Sequence, residues 1–151
     1  MAANSKRELI LAKLKTTLDA VSSLNHVERK PLKGISDLEA YPSTQIPVAV
    51  ILGGMPSPNE NFSERTRKLD KVRSTLTATI IVYAMDNENP DSKISTLADD
   101  LWSAIYADIT LGYSWILGLR IVPDVDVAFW EPYCAFSFAV DITYIHDKEG
   151  I

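Results

Sequence analysis

The chain has 151 residues, 46% of them hydrophobic and 23% charged, with a net charge of −5. This length predicts one domain, residues 1–151, that buries its own core. One cysteine excludes an intramolecular disulfide, and since no apolar run reaches the roughly 18 residues of a membrane span, we expect a soluble, cytoplasmic protein without a membrane partner.

The N-terminal stretch predicts an amphipathic helix. Ser5 and Glu8 are spaced as in a capping box, and apolar residues recur at helical spacing up to Asn25, the predicted stop. Two strands are expected next. The first is a candidate edge strand within residues 26–33, and the second is residues 46–52, whose apolar run predicts cover on both faces.

Residues 55–71 are the irregular part of the chain. Prolines and asparagines begin this stretch and basic residues crowd its end, which favours a partly mobile, hairpin-like excursion between two strands over a short helix. In residues 72–86 threonines alternate with apolar residues before a run that is apolar on both parities. This pattern predicts a long strand whose first half rises out of the fold and whose second half is buried.

The rest of the chain predicts a helix and two further strands. Asn89 suits the N-cap of a helix that buries one apolar stripe. Residues 119–127 are expected to form a strand, residues 128–132 a bulky turn, and residues 134–146 a final alternating strand. Together the elements predict an α+β domain, with a mixed or antiparallel β-sheet of four to five strands and two main helices packed on one face.

The charges divide unevenly along the chain. Residues 1–73 hold 12 Lys and Arg against 8 Asp and Glu, whereas residues 74–151 hold 3 against 12. Chance and solvated faces explain such a split most simply. The alternative is a head-to-tail assembly in which a basic surface meets an acidic one. A net acidic chain is a poor default binder of nucleic acid, because phosphate contacts drive that affinity.

The residue patterns of catalysis are missing from the sequence. The two histidines stand on separate predicted strands without a Cys/His cluster around either. Cys134 and His146 share one strand, about 40 Å apart by its rise per residue, so they cannot act together. We therefore predict no enzyme activity, no metal site and no cofactor. Neighbouring carboxylates, which are more often solvated than metal-bound, occur at Asp99, Asp100, Asp124 and Asp126.

The order of these elements resembles the tail terminator (tail completion) proteins of long-tailed bacteriophages. The likeness covers nearly the whole chain. It is carried by the opening helix at residues 6–14, the strand containing Pro47, the long strand up to Asp86, the helix at residues 97–105 and the turn at residues 108–112.

The resemblance implies a structural virion protein at the head-proximal end of the tail, assembled in the host cytoplasm. Such proteins form a hexameric ring on the finished tail tube, stop its polymerisation and present a surface to the head. The implied partners are further copies of the chain, the tail tube protein and a head-completion protein, and DNA passes through the lumen without specific binding.

Two alternatives stand beside this interpretation. One is another neck or minor tail protein of the same fold. The other is a small ligand-binding or enzymatic α+β domain with a pocket near Trp115, Trp130 and Tyr133.

A ring subunit needs two unlike surfaces, and the sequence offers candidates for both. We predict that basic side chains at the end of the excursion pair across subunits with acidic groups of the C-terminal half. Aromatic residues near the last strands either meet a partner or cap the core, and core capping is the more frequent outcome. The candidate interface residues are Arg65, Arg67, Lys68, Lys71, Arg73, Trp115, Phe129 and Trp130.

Overall fold

The computed structural model describes residues 5–31, 46–58 and 71–147, of which residues 71, 123–125 and 130 by their backbone alone. These described residues form two helices and six strands. In chain order these are α1 (Lys6–Asp19), β1 (His26–Glu28), β2 (Val48–Gly53), β3 (Ser57–Pro58), β4 (Lys71–Met85), α2 (Pro90–Tyr106), β5 (Ile116–Trp130) and β6 (Tyr133–Asp147).

The strands form one mixed sheet in the order β1-β2-β4-β6-β5, with the short β3 paired to β4. Strand β1 runs parallel to β2, and the other pairings are antiparallel. The central ladder joins β4 and β6 along their whole length, from Lys71 opposite Asp147 to Met85 opposite Tyr133. The predicted α+β class is therefore confirmed, and the sheet exceeds the expected four to five strands by the two-residue β3.

Both helices pack on one face of this sheet, as predicted. Even-numbered residues of β4 and β6, such as Leu76, Ile80 and Phe138, are buried in the same core as the apolar stripes of the two helices. The odd-numbered residues face the other side, which no helix of the described chain covers. The apolar stripes by which the two helices pack on the sheet are Ile10, Leu11, Leu14 and Leu18 in α1, and Ile94, Leu97, Leu101 and Ile105 in α2.

Helix α1 begins where predicted but ends earlier. The Ser5 hydroxyl accepts the Glu8 N–H at 3.1 Å, which confirms the N-cap. The helix stops at Asp19 rather than near Asn25. Asn25 instead binds the start of the neighbouring strand, donating from its backbone N–H to Pro47 O at 2.9 Å and from its side chain to Ile46 O at 2.8 Å. The chain has to turn before Asn25 to reach this sheet edge.

The start of helix α2 is stabilised by Asp86 and not by the side chain of the predicted N-cap, Asn89. Asn89 occupies the N-cap position but its side chain makes no capping hydrogen bond. The Asp86 carboxylate accepts the backbone N–H groups of Glu88 and Asn89, at 2.9 and 2.8 Å. These hydrogen bonds, first that of Asn89, lower the pKa of Asp86.

Strand β5 is longer than the predicted residues 119–127, and the turn to β6 is correspondingly shorter. The strand takes up most of the predicted bulky turn and leaves only residues 131–132 between β5 and β6. A register shift between Val122 and Asp126 absorbs Pro123, because two extra residues bulge out of the ladder.

The first half of β4 does not rise out of the fold, so that prediction was wrong. It pairs with β6 over its full length, and Leu76 and Ala78 are completely buried. The threonines do lie on the opposite parity, on the sheet face away from the helices. Within the predicted excursion, residues 55–71, the short strand β3 pairs with β4. Residues 59–70 lie outside the described residues.

Candidate interaction surfaces

The predicted basic cluster falls mostly outside the described residues. Arg65, Arg67 and Lys68 belong to residues 59–70, and Lys71 is described by its backbone only. Arg73 lies half-buried on the face of β4 away from the helices, opposite Ile145 of β6. The pairing of this cluster with acidic groups of another subunit therefore stays a prediction.

Trp115 is partly buried and packs against the core of its own chain. Its ring stacks on Tyr113 with centroids 4.7 Å apart and meets the edge of Tyr144 at 5.9 Å. The Lys6 Nζ lies 5.1 Å above the same ring and donates to Ile145 O at 2.9 Å. Burial raises the pKa of Tyr144 to about 12. These contacts fit the core-cap alternative, and the contact of Trp115 with a partner stays a prediction.

Trp115 and Tyr133 cannot share a ligand pocket. Trp115 touches Tyr144, and Tyr144 lies eleven residues along β6 from Tyr133. Eleven residues of extended strand span roughly 37 Å, so the two aromatic residues stand at opposite ends of the sheet. The pocket predicted near Trp115, Trp130 and Tyr133 does not exist as one site.

Phe129 is exposed in the single chain, and its predicted role at an interface stays a prediction. It pairs with Cys134, and its neighbour on the same face, Val127, pairs with Phe136. Cys134 and Phe136 are buried at 0% and 2% exposure, yet Phe129 and Val127 are 51% and 46% exposed. The difference arises because β5 ends the sheet and receives cover on one side only. Trp130 follows in the same strand, described by its backbone.

The sheet face away from the helices is polar at one end and apolar at the other. Near the polar end Thr77 donates to Asp141 at 2.7 Å, and Arg120 lies 3.6 Å from the same carboxylate. Towards the turn between β5 and β6, a shallow groove of about 250 Å³ runs between Ile81, Tyr83 and neighbouring residues of β5 and β6. Burial raises the pKa of Tyr83.

The described charges are unevenly distributed along the strand direction. We define the acidic end as the part of the molecule around the turn between β5 and β6, where the Asp86 N–H donates to Pro132 O at 3.1 Å. Lys93 is the basic residue beside it. Exposed Met85, Val127 and Phe129 lie among these charges. The carboxylates of the acidic end are Asp86, Glu88, Asp91, Asp126 and Glu131.

We define the basic end by Lys6, Arg7 and Arg73, at the opposite end of the sheet beside Asp147. Arg7 donates to Gly54 O at 2.9 Å and to Gly53 O at 3.0 Å, and Lys6 likewise binds a carbonyl. Carbonyl groups are neutral, so these hydrogen bonds fix the two side chains without cancelling their charge. The first turn of α1 thus brings Lys6 and Arg7 towards the end of β6, together with the Glu8 carboxylate, which is bound to Arg29.

A buried polar pair in the core was not predicted from the sequence. Ser74 and His146, exposed by 1% and 4%, lie diagonally across the β4–β6 ladder, in which Ser74 pairs with Tyr144 and His146 with Val72. Ser74 Oγ lies 2.6 Å from His146 Nε2. His146 Nδ1 lies 2.6 Å from Asp147 O, a carbonyl that can only accept, so Nδ1 carries a proton. In the neutral ring Nε2 then accepts the Ser74 hydroxyl. The signal was available, because both residues fall on the core-facing parity of long strands.

The described carboxylates that were considered as cation ligands lie in two different elements, Asp99 and Asp100 in α2 and Asp126 in β5. Asp100 accepts the Ser23 hydroxyl across the gap between the helices, and Asp99 beside it is exposed. Asp126 lies in β5 on another part of the surface. The described part of the chain holds no cluster of three or more His, Cys, Asp or Glu side chains that could bind a metal ion.

Comparison with known protein families gave no matching family, and comparison with curated proteins gave no matching sequence. Among residues 5–31, 46–58 and 71–147, no helix is long and apolar enough to cross a membrane.

Proposed function

We propose that this chain is a structural protein of a phage tail that acts as a tail terminator. In this role copies of the chain form a ring on the finished tail tube, end its polymerisation and provide the surface to which the head attaches. The observation that carries the proposal is the uneven distribution of charge along one sheet, with an excess of carboxylates at the acidic end and of basic side chains at the basic end.

A closed ring is built from heterologous contacts, in which one surface of a subunit meets a different surface of the next. Two ends of opposite charge satisfy this requirement, since they attract each other and repel their own kind. The exposed side chains of Met85, Val127 and Phe129 at the acidic end add apolar area, which a stable contact also needs. The fold itself, two helices on one face of a mixed sheet, agrees with the element order on which the resemblance rests.

The molar mass in solution tests the ring. We expect multi-angle light scattering to give a multiple of the chain mass in about 50 mM salt, and a smaller value in about 1 M salt because the Debye length shrinks to roughly 3 Å. If the chain is monomeric at every protein and salt concentration, the proposed ring is wrong.

Removal of the gene from a phage that carries it tests the terminator role within the class of neck and tail proteins. A tail without its terminator keeps polymerising, so electron microscopy should show tails longer than those of the parent phage. Tails of normal length that merely lack heads would assign the chain to another neck component.

A further inference from the structure

The outer edge of β5 is divided into a protected half and an open half. β5 is the last strand in the sheet order. In its first half, the Ile121 N–H points away from β6 and donates to the Tyr106 hydroxyl of α2 at 2.9 Å. This hydrogen bond and the bulge at Pro123 block the edge there, both of them devices that keep strand edges from pairing.

Beyond the bulge, as before it, the backbone N–H and C=O groups of successive residues point alternately towards β6 and away from it. Val122 pairs with Ala139 and Asp126 with Ser137, so an odd-numbered residue of β5 again directs its N–H and C=O outward. Val127 and Phe129 are the odd-numbered residues of this half, and both have exposed side chains. Within the described residues no further strand pairs with this edge. We call residues 126–130 the open edge.

An exposed strand edge with apolar side chains is a template for pairing with another strand. The charges decide which strand suits it. Asp126 and Glu131, both exposed, flank the open edge. Pairing of two such edges in a symmetric dimer would bring the carboxylates of both copies together, which is unfavourable. A basic segment is favoured instead.

We propose that the open edge of one copy binds the basic stretch between residues 65 and 73 of a second copy. That stretch carries Arg65, Arg67, Lys68, Lys71 and Arg73. The contact is head-to-tail, because the acceptor and the donor are different parts of the chain. The inference rests on the proposed ring and deepens it, since it names the two parts that meet at each subunit boundary.

Charge reversal on either side tests this pairing. An acid-reversed variant carries Asp126→Lys and Glu131→Lys, and a base-reversed variant carries Arg65→Glu, Arg67→Glu and Lys68→Glu. Each variant alone places like charges at the contact, so we expect the concentration of half-assembly to rise at least about tenfold. Light scattering across a dilution series measures it, and circular dichroism checks that each variant is folded.

Mixing the two variants gives the decisive result. In an equimolar mixture, the reversed open edge of one variant meets the reversed basic stretch of the other, and the two unchanged surfaces meet each other. Assembly should return towards that of the wild type. Combining all five substitutions in one chain should also restore it, because both sides of the contact are then exchanged.

A substitution of the open edge itself has a matched control in the same strand. Phe129→Lys adds a charge to the open edge, and Leu117→Lys adds one at a residue of similar exposure in the protected half; the two side chains are 51% and 48% exposed. We expect only Phe129→Lys to weaken assembly.

The outcomes separate the two proposals. A wild type that is always monomeric overturns the proposed ring and this inference with it. An oligomeric wild type that both reversed variants leave unchanged overturns the inference alone, as does a mixture that fails to reassemble from folded variants or a Leu117→Lys that weakens assembly as much as Phe129→Lys.

Discussion

The hydrogen bond between Ser74 and His146 places a polar contact inside an apolar ladder. Both residues are almost completely buried, and Tyr144 packs its ring 5.4 Å from that of His146. With Nδ1 bonded to the Asp147 carbonyl and Nε2 to Ser74, each ring nitrogen of His146 has a partner. A serine that is 1% exposed cannot reach a substrate. We interpret the pair as part of the core and not as catalytic machinery.

The variant Ser74→Ala tests this interpretation. It removes the donor to His146 Nε2 and leaves a buried acceptor without its bond, so we expect a loss of about 1–3 kcal/mol in the free energy of unfolding. Urea unfolding followed by circular dichroism measures the loss. Thr77→Ala, which breaks a bond at an exposed position, serves as the control and should cost roughly 0.5 kcal/mol or less. Equal effects of both variants would contradict the assignment.

A second prediction at this scale concerns Glu8 and acid stability. Arg29 donates from both terminal guanidinium nitrogens to the Glu8 carboxylate, with Nη2 3.0 Å from Oε2. This hydrogen bonding lowers the pKa of Glu8 below its ordinary value of 4.5. A carboxyl whose pKa is lower in the folded state stabilises the fold above its unfolded pKa. The contribution is lost as the pH falls through the folded value.

We therefore expect Glu8→Gln to lower stability at pH 7 and to leave it unchanged well below the folded pKa of Glu8. Solvent screening of a partly exposed pair limits the loss to about 0.2–1 kcal/mol. Urea midpoints at pH 7 and at pH 2–3 give the comparison. Arg29→Gln should cause a similar loss at pH 7, and adding Glu8→Gln to it should change little. Additive losses would mean that Glu8 acts through another partner.

At the scale of elements, α1 approaches the end of β2 closely because residue 53 is glycine. A Cβ at Gly53 would lie 2.6 Å from Leu11 Cδ1 and 2.9 Å from its Cδ2, and Leu11 is 1% exposed with little room to move. The same approach lets Arg7 reach two carbonyls at the strand end. The packing of α1 on the sheet therefore depends on the absence of one side chain.

The variant Gly53→Ala should destabilise the protein by about 1–3 kcal/mol, because the core must shift to admit the methyl group. Gly118→Ala provides the matched control. Gly118 is also in a strand, and a Cβ there meets nothing within 4 Å among the described residues. Thermal unfolding of both variants distinguishes them, and an unchanged transition for Gly53→Ala would show that Leu11 relaxes freely.

The elements themselves could be predicted to different degrees. The apolar stripes of both helices and the alternation in β4 and β6 are local patterns, and the structure follows them. The end of α1 depends on the bonds of Asn25 to a strand that begins more than twenty residues later. The extension of β5 through its turn depends on pairing with β6, which outweighs the bulky residues between them. Such contacts leave no trace in local periodicity.

At the scale of the whole molecule, the fold class could be predicted but the candidate surfaces only in part. The charge split along the sequence predicted two unlike surfaces, and the described charges are unevenly distributed along the sheet. Their position at opposite ends of one sheet depends on the strand order, which composition does not contain. For the same reason Trp115, Phe129 and Trp130 could not be separated beforehand. Only the sheet shows that Trp115 covers the core and that Phe129 borders an edge.

The position of β6 has a consequence for how the chain is made. β6 is the last described strand in the sequence, yet it lies between β4 and β5 in the sheet. The ladder to β4 joins residues as far apart as Lys71 and Asp147. During synthesis on the ribosome, β4 and both helices emerge well before their central partner, so no complete sheet exists for the helices to cover until residue 147 has left the exit tunnel. A nascent chain paused before residue 133 has two long strands, β4 and β5, whose shared partner β6 is missing, and such unpaired strand edges are prone to aggregate.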